Sequence, residues 1–215
     1  MALSFRGHGG STSDKALRRC SVNDYVRDVH TVADELAVSP VLIGHSLGGL
    51  IVQKYLESWH APAAVLMSSV PPQGTYGSSL RWFRKHPWCV INMVISGKAL
   101  PHINTVKLAR EKFFSSSTPE DLVLKYAARL QEDSARVSLD GLLLNRPHPE
   151  KVSTPLLVLG AEHDGAHSHK EVQATAHAYG TEAEFFSGMG HNMMLEPGWE
   201  RVAARIHDWL ASRGL

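Results

Sequence analysis

Apolar residues recur along this chain at two different spacings, and the switches between them outline its elements. Val22, Tyr25, Val26, Val29, Ala33 and Leu36 fall on one helical face, and Ser21 with Asp24 three positions on has the form of a capping box that would start that helix. Pro40 to Ile43 is short, apolar and partly β-branched, the pattern of a strand, and Gly44 closes it. Leu50, Ile51, Tyr55 and Trp59 return to a helical face. Ala63 to Met67 and Leu156 to Leu159 are unbroken apolar runs of strand length bounded by Pro or Gly, as expected of strands covered on both faces, and Glu182 to Phe186 is a weaker third run. Trp199, Val202, Ala203, Ile206, Trp209 and Leu210 predict a closing amphipathic helix just after Pro197-Gly198. Ala2 to Phe5, stopped by Arg6-Gly7-His8-Gly9-Gly10-Ser11, reads as a strand end running into a loop. Strands alternating with helices predict an α/β fold around a mostly parallel sheet.

The run at Ala63 and the run at Leu156 are separated by about 90 residues, too many for one ordinary crossover. An insertion is therefore expected there. It contains the aromatic- and Met-rich stretch Leu80 to Ile95, and a helix start at Thr118-Pro119-Glu120 followed by Leu122, Tyr126 and Leu130. The expected organisation is a core at residues 1–75 and 153–215 with a helical cap at residues 76–152.

Composition narrows the function classes. With 43% hydrophobic and 20% charged residues in 215, the chain is neither disordered nor fibrous. A net charge of +1 without any long single-sign run gives no footprint for nucleic acid. Two cysteines, Cys20 and Cys89, build neither a disulfide framework nor a repeated Cys-x-x-Cys zinc motif, and both read as reduced. The most apolar stretch, Trp88 to Ile95, is far short of the roughly 20 residues that span a bilayer, and Met1 to Arg6 lacks the apolar segment of a secretory signal. The expected compartment is the cytoplasm, and the expected partner a small molecule.

The candidate chemistry lies at Gly44-His45-Ser46-Leu47-Gly48, a G-x-S-x-G motif between a strand and a helix. In such a turn the serine sits on a strained backbone, and Gly44 and Gly48 leave out side chains that a tight strand-to-helix reversal would not accommodate. A serine hydroxyl needs an imidazole to take its proton, and the imidazole needs a carboxylate to orient it. Asp164 follows the Leu156 strand and has Glu162 as a nearby rival; His191 lies in Gly188-Met-Gly-His191-Asn before the last helix. The order Ser46, Asp164, His191 is that of a hydrolase triad.

Arg6-Gly7-His8-Gly9-Gly10-Ser11, the Gly44 to Gly49 turn, Gly160 to Asp164 and Gly190-His191 together resemble the α/β-hydrolase family over essentially the whole chain, in particular its cap-bearing esterases, lipases and lysophospholipases. The resemblance implies Ser46 as nucleophile, Asp164 as acid, His191 as base and the Leu47 N–H as an oxyanion donor, with no cofactor or metal. Serine at position 46 departs from the dehalogenase and epoxide-hydrolase branches, which use aspartate there. The resemblance also implies absences. In the family the Arg-Gly-x-Gly-x-Ser turn follows the fourth strand, and the loop after the third strand gives the second oxyanion donor. Three strands that would precede Ala2 are not in this chain, which suggests an N-terminally truncated product. The third strand would lie between Ala2 to Phe5 and Val41 to Ile43, so a slot is expected there, with Ala2 to Phe5 detached from or shifted against the Val41 strand. His8-Gly9-Gly10 is an alternative source of the second donor.

Two further readings compete for the histidines and aromatics. His163, His167, His169 and Asp164 are residue types that bind zinc, although one loop without a helical His pair is a weak ligand pattern. His8, His45, His60, His86, His102, His148, His177 and His207 read as surface or turn residues. Leu80 to Trp88 mixes aromatics with cations, as a cap helix or a helix lying on lipid would. Met193 and Met194 read as pocket wall or core. The function expected is hydrolysis of carboxylic esters with an apolar acyl group through an acyl-enzyme on Ser46; the alternative is a catalytically weak or inactive fragment that acts as a binding protein.

Overall fold

The computed structural model describes residues 1–100 and 103–215, so His102 lies outside the described residues. Helix α1, Val22–Asp34, starts at the box expected: Ser21 Oγ accepts from the Asp24 N–H at 3.3 Å, and the Asp24 carboxylate accepts from the Ser21 N–H at 2.7 Å. Strand β1 is Leu42–His45, and helix α2, Leu47–Leu56, follows after the single residue Ser46. Strand β2 is Ala64–Met67, β3 is Leu156–Ala161 and β4 is Ala183–Phe186, with helix α8, His169–Ala178, between the last two and α9, Trp199–Ala211, at the end. The four strands pair in parallel in the order β1-β2-β3-β4, with Leu42 opposite Ala64, Ala64 opposite Leu156 and Val158 opposite Ala183.

Alternation along β2 and β3 explains the unbroken apolar runs. Ala64, Leu66, Leu156 and Val158 pack with Tyr25 and Val26 of α1, Leu50 and Ile51 of α2 and Val172 of α8. Val65, Met67, Leu157 and Leu159 pack on the other face with Val202, Ile206 and Trp209 of α9. Helices on both faces bury the sheet centre, and because the strands are parallel their C-terminal ends share one edge. Met193 belongs to the second of these clusters, while Met194 is partly exposed.

Between β2 and β3 the chain forms α3, Tyr76–Lys85, α4, Pro87–Ser96, α5, Val106–Phe113, α6, Glu120–Ala127, and α7, Ala135–Leu139. Ala109, Phe114, Val123 and Ala127 give this region a small core of its own. The aromatic stretch divides between two surroundings: Trp82 is buried, whereas Trp88, Val94 and Ile95 face solvent.

Residues 2–5 form no strand, contrary to the sequence expectation. A short apolar run becomes a strand only where a neighbour completes its ladder, and this segment has none. Its ends are satisfied locally instead: the His8 N–H donates to Phe5 O, and Ser11 Oγ donates to Ser4 O. Phe5 stacks on Tyr25 and Arg6 grips Asp28 of α1 through its backbone N–H and guanidinium. The expected detachment from the Val41 strand is what the structure shows. β1 is an edge, and a cavity of about 580 Å³ separates it from residues 1–5, lined by Leu3, Phe5, Ala33, Leu36, Ile43 and Gly48 among others.

Candidate active site

Ser46 is the one residue between β1 and α2, and its backbone is held at φ 52, ψ −116. A left-handed serine is strained by about 1 to 3 kcal/mol, and here the neighbours hold it there. Its N–H donates to Met67 O of β2, and its carbonyl accepts from the N–H groups of Gly49 and Val70. Ser68, next to β2, is also left-handed, at φ 41, with a buried hydroxyl that has no partner. Gly44 is needed for the reversal: a Cβ there would lie 2.5 Å from Gly48 O and 2.7 Å from Gly49 Cα. Gly48 is not. A Cβ there would meet nothing within 4 Å, which corrects the expectation that both glycines are forced by space. Leu47 opens α2, so its N–H has no acceptor inside the helix.

The loops after β3 and β4 supply the rest. His191 is buried, and its Nδ1 lies 3.0 and 2.9 Å from the two carboxylate oxygens of Asp164. Asp164 Oδ1 also accepts from the N–H groups of Ala166 and His167 at 2.8 Å, which fixes the carboxylate. Burial by itself would raise the Asp164 carboxyl, but the His191 imidazole and its hydrogen bond outweigh that and bring it down to about 2. Glu162, the rival, is occupied elsewhere, its Oε2 accepting from the Gly188 N–H at 2.8 Å.

Ser46, Leu47 and His191 line one cavity of about 520 Å³. Trp82, Val90 and Met93 from α3 and α4 line it as well, so the insertion between β2 and β3 forms one wall. The structure brings Asp164 and His191 into hydrogen-bond contact and puts Ser46 on the same cavity, but the Ser46 hydroxyl and the His191 imidazole are not hydrogen-bonded to each other. Such contacts commonly tighten only when substrate is present. His8-Gly9-Gly10 does not line the cavity, and the Gly9 N–H is taken by Gln131 Oε1 at 3.2 Å.

The other histidines separate by role. His169 lies against Phe185 with its Nε2 near Glu162 O, His163 sits beside the Glu162 carboxylate, and His167 packs edge-on against His191, so the three do not converge on one point. The sequence pattern makes His45 a surface or turn residue; in the structure its Nε2 lies 2.9 Å from the His191 carbonyl oxygen and its ring 4.7 Å from the His191 ring. Burial, with His191 beside it, pushes His45 down to about 3, so it is neutral and donates that bond from Nε2. Sequence reasoning also missed Glu196, a buried carboxylate that accepts from the Ser115 N–H and Oγ, from Thr118 Oγ1 and from the Gly190 N–H beside His191.

The comparisons agree with this architecture. A sequence profile described as "Alpha/beta hydrolase family" matches residues 1–205. Among solved structures, an esterase from Thermogutta terrifontis is similar with a TM-score of 0.73 at 18% identity, over 97% of this chain and 78% of that one. A monoacylglycerol lipase from Paleococcus ferrophilus is similar at 0.70 and 22%, over 99% and 82% of the two chains. A putative non-heme bromoperoxidase from Mycobacterium tuberculosis is similar at 0.71 and 18%, over 91% and 76%. No curated protein sequence matches the chain. No helix among the described residues is long and apolar enough to cross a membrane.

Proposed function

Since the chain belongs to the α/β-hydrolase family, we propose that it is a serine hydrolase that cleaves carboxylic esters through an acyl-enzyme on Ser46. The observation that carries this reading is the Asp164–His191 hydrogen bond beside the cavity on which the strained Ser46 also opens. With Nδ1 engaged by Asp164, the Nε2 atom of His191 is the one left to accept the Ser46 proton. Ser46 Oγ then bonds to the ester carbonyl carbon, and the oxyanion is stabilised by the free Leu47 N–H. His191 returns the proton to the alcohol oxygen as the C–O bond breaks. Water, deprotonated by His191, releases the acid and restores Ser46. Asp164 stays ionised throughout and holds the imidazole in the productive tautomer. The substrate is a small ester, and the apolar walls suit a hydrocarbon acyl chain.

A fluorophosphonate probe tests this. Covalent labelling mapped to Ser46, and lost when the protein is heat-unfolded, is expected; an intact protein that never reacts overturns it. One observation favours a second reading, a hydrolase-like protein that binds ligand without turnover: the Gly9 amide, the alternative second oxyanion donor, is bonded to Gln131 Oε1 and leaves the Leu47 N–H without that partner. Binding of ester analogues without labelling would favour that reading.

A further inference from the structure

The cavity beside Ser46 is apolar except at a few points, and three of those points have no polar partner among the described residues. The first is Lys112, near the end of α5, which lines the cavity and whose ammonium takes part in no hydrogen bond or ion pair. It rests instead on aromatic faces, 5.0 Å from the Trp82 ring centroid and 5.7 Å from that of Phe113. The second is the Trp82 Nε1–H, buried and unpartnered, and the third is Nδ1 of His167, equally buried. Both residues line the same cavity.

An ammonium drawn partly out of water without a counter-ion is unfavourable, and a cation–π contact offsets only about 0.5 to 2 kcal/mol of that. Burial accordingly lowers the Lys112 pKa, and no nearby carboxylate raises it. The one carboxylate among the described residues lining the cavity, Asp133, accepts from the Tyr25 hydroxyl at 3.2 Å. The position of Lys112 relative to the candidate catalytic residues is fixed from two sides. Phe113 follows it and lies 5.8 Å, ring to ring, from His191. Gly165, next to Asp164, packs so closely that a Cβ there would be 3.0 Å from Lys112 Cα.

We propose that Lys112 is a specificity residue whose ammonium receives a carboxylate carried by the substrate, so that the preferred ester has an apolar chain ending in one free carboxylate, as in a monoester of a dicarboxylic acid. One cation matches one negative charge; a phosphate dianion would call for a second cation, and Lys112 is the only lysine or arginine among the described residues lining the cavity. The apolar walls would hold the methylenes between the two ends. This inference rests on the reading of Ser46 as nucleophile.

The test compares monomethyl adipate with methyl hexanoate, which has the same chain without the carboxylate, in wild type, Lys112→Met and Lys112→Gln. Met keeps the length that packs on Trp82, and Gln keeps polarity without charge. In wild type the adipate ester is expected to have the higher kcat/KM, and both variants should lower the ratio of the two by about tenfold or more, chiefly through KM. Monomethyl esters from succinate to suberate should show a length optimum in wild type alone. A ratio unchanged in both folded variants, or both esters weakened equally, overturns the proposal. Calorimetric titration with adipate separates the two layers of inference: Lys112-dependent binding without turnover of either ester upholds the anion subsite while the hydrolase reading fails. Turnover of both esters with no Lys112 dependence does the reverse.

Discussion

Ser115 and Glu196 are bonded twice, the Ser115 N–H donating to Oε1 and the Ser115 hydroxyl to Oε2, both at 2.6 Å. The first lies just beyond α5 in the insertion, and the second lies five residues past His191. Because Glu196 also accepts from the Gly190 N–H at 3.2 Å, one buried carboxylate ties the insertion to the histidine loop. The contact is close enough that a Cβ at Gly190 would lie 2.5 Å from Ser115 N.

Glu196→Ala should therefore destabilise the fold and move His191 at once. It leaves several buried donors unpaired, each worth about 1 to 3 kcal/mol. Urea unfolding should show a loss of about 3 kcal/mol or more. Fluorophosphonate labelling at temperatures where the variant is still folded should be slowed. Labelling at the wild-type rate would mean that His191 does not depend on this anchor.

Asp164→Asn should keep a side chain of the same shape beside His191 but favour the wrong tautomer, at a loss of about 10⁴ in kcat for a triad of this type. Glu162→Gln should stay within a few-fold of wild type, since its contact is to the Gly188 N–H on the exposed side of the loop. Ser46→Ala should abolish turnover with its melting temperature intact or raised, the left-handed backbone being no worse for alanine. Turnover by Ser46→Ala at the wild-type rate would remove Ser46 from the mechanism.

How much of this was legible follows from where each signal resides. Local signals read well: the Ser21/Asp24 box and the strand, tight turn and helix around Ser46 depend on neighbours within a few residues, whereas the Asp164–His191 contact joins residues 27 apart and was suggested only by their order in the chain. Ala2 to Phe5 was misread because strand composition says nothing about whether a partner strand is present. Glu196 and Lys112 were invisible for a different reason. A glutamate before Pro-Gly and a lysine on an amphipathic helix have the composition of ordinary surface residues, and only long-range packing puts the first against Ser115 and the second against the Trp82 ring.

Two histidines near His191 make stability fall with acid. Burial, reinforced by His191, lowers His167 to about 4, and the same pair of causes lowers His45 to about 3. Asp164, Glu171 and Arg81 also act on His167, the carboxylates opposing the shift and the guanidinium adding to it. Exposed histidine titrates at about 6.5, so below that value the unfolded chain binds protons that the folded chain refuses. Stability is then fully present above pH 6.5 or so and drops toward pH 4, by about 1.4 kcal/mol per pH unit for each group in that window. Urea midpoints measured at pH 7, 6 and 5 should decline, and His167→Gln should have the shallower slope. Parallel slopes in the two proteins would show that His167 is already protonated in the fold.

The last expectation separates the two glycines of the G-x-S-x-G turn, which the motif treats alike. Gly44→Ala would drive a methyl group into Gly48 O and Gly49 Cα, and none of those atoms is the end of a flexible side chain. The whole strand-to-helix reversal would have to open, so a loss of about 3 kcal/mol or more is expected, together with loss of labelling at Ser46. Gly48→Ala meets nothing within 4 Å, because it faces the cavity between β1 and residues 1–5. Its position inside α2 makes alanine the better helix former by up to about 1 kcal/mol. Gly48→Ala is thus expected to raise the urea midpoint while keeping reactivity at Ser46. Were that cavity filled in solution by any chain segment, the added methyl would meet it and the gain would turn into a loss, so the sign of this one change reports whether the edge of β1 is open.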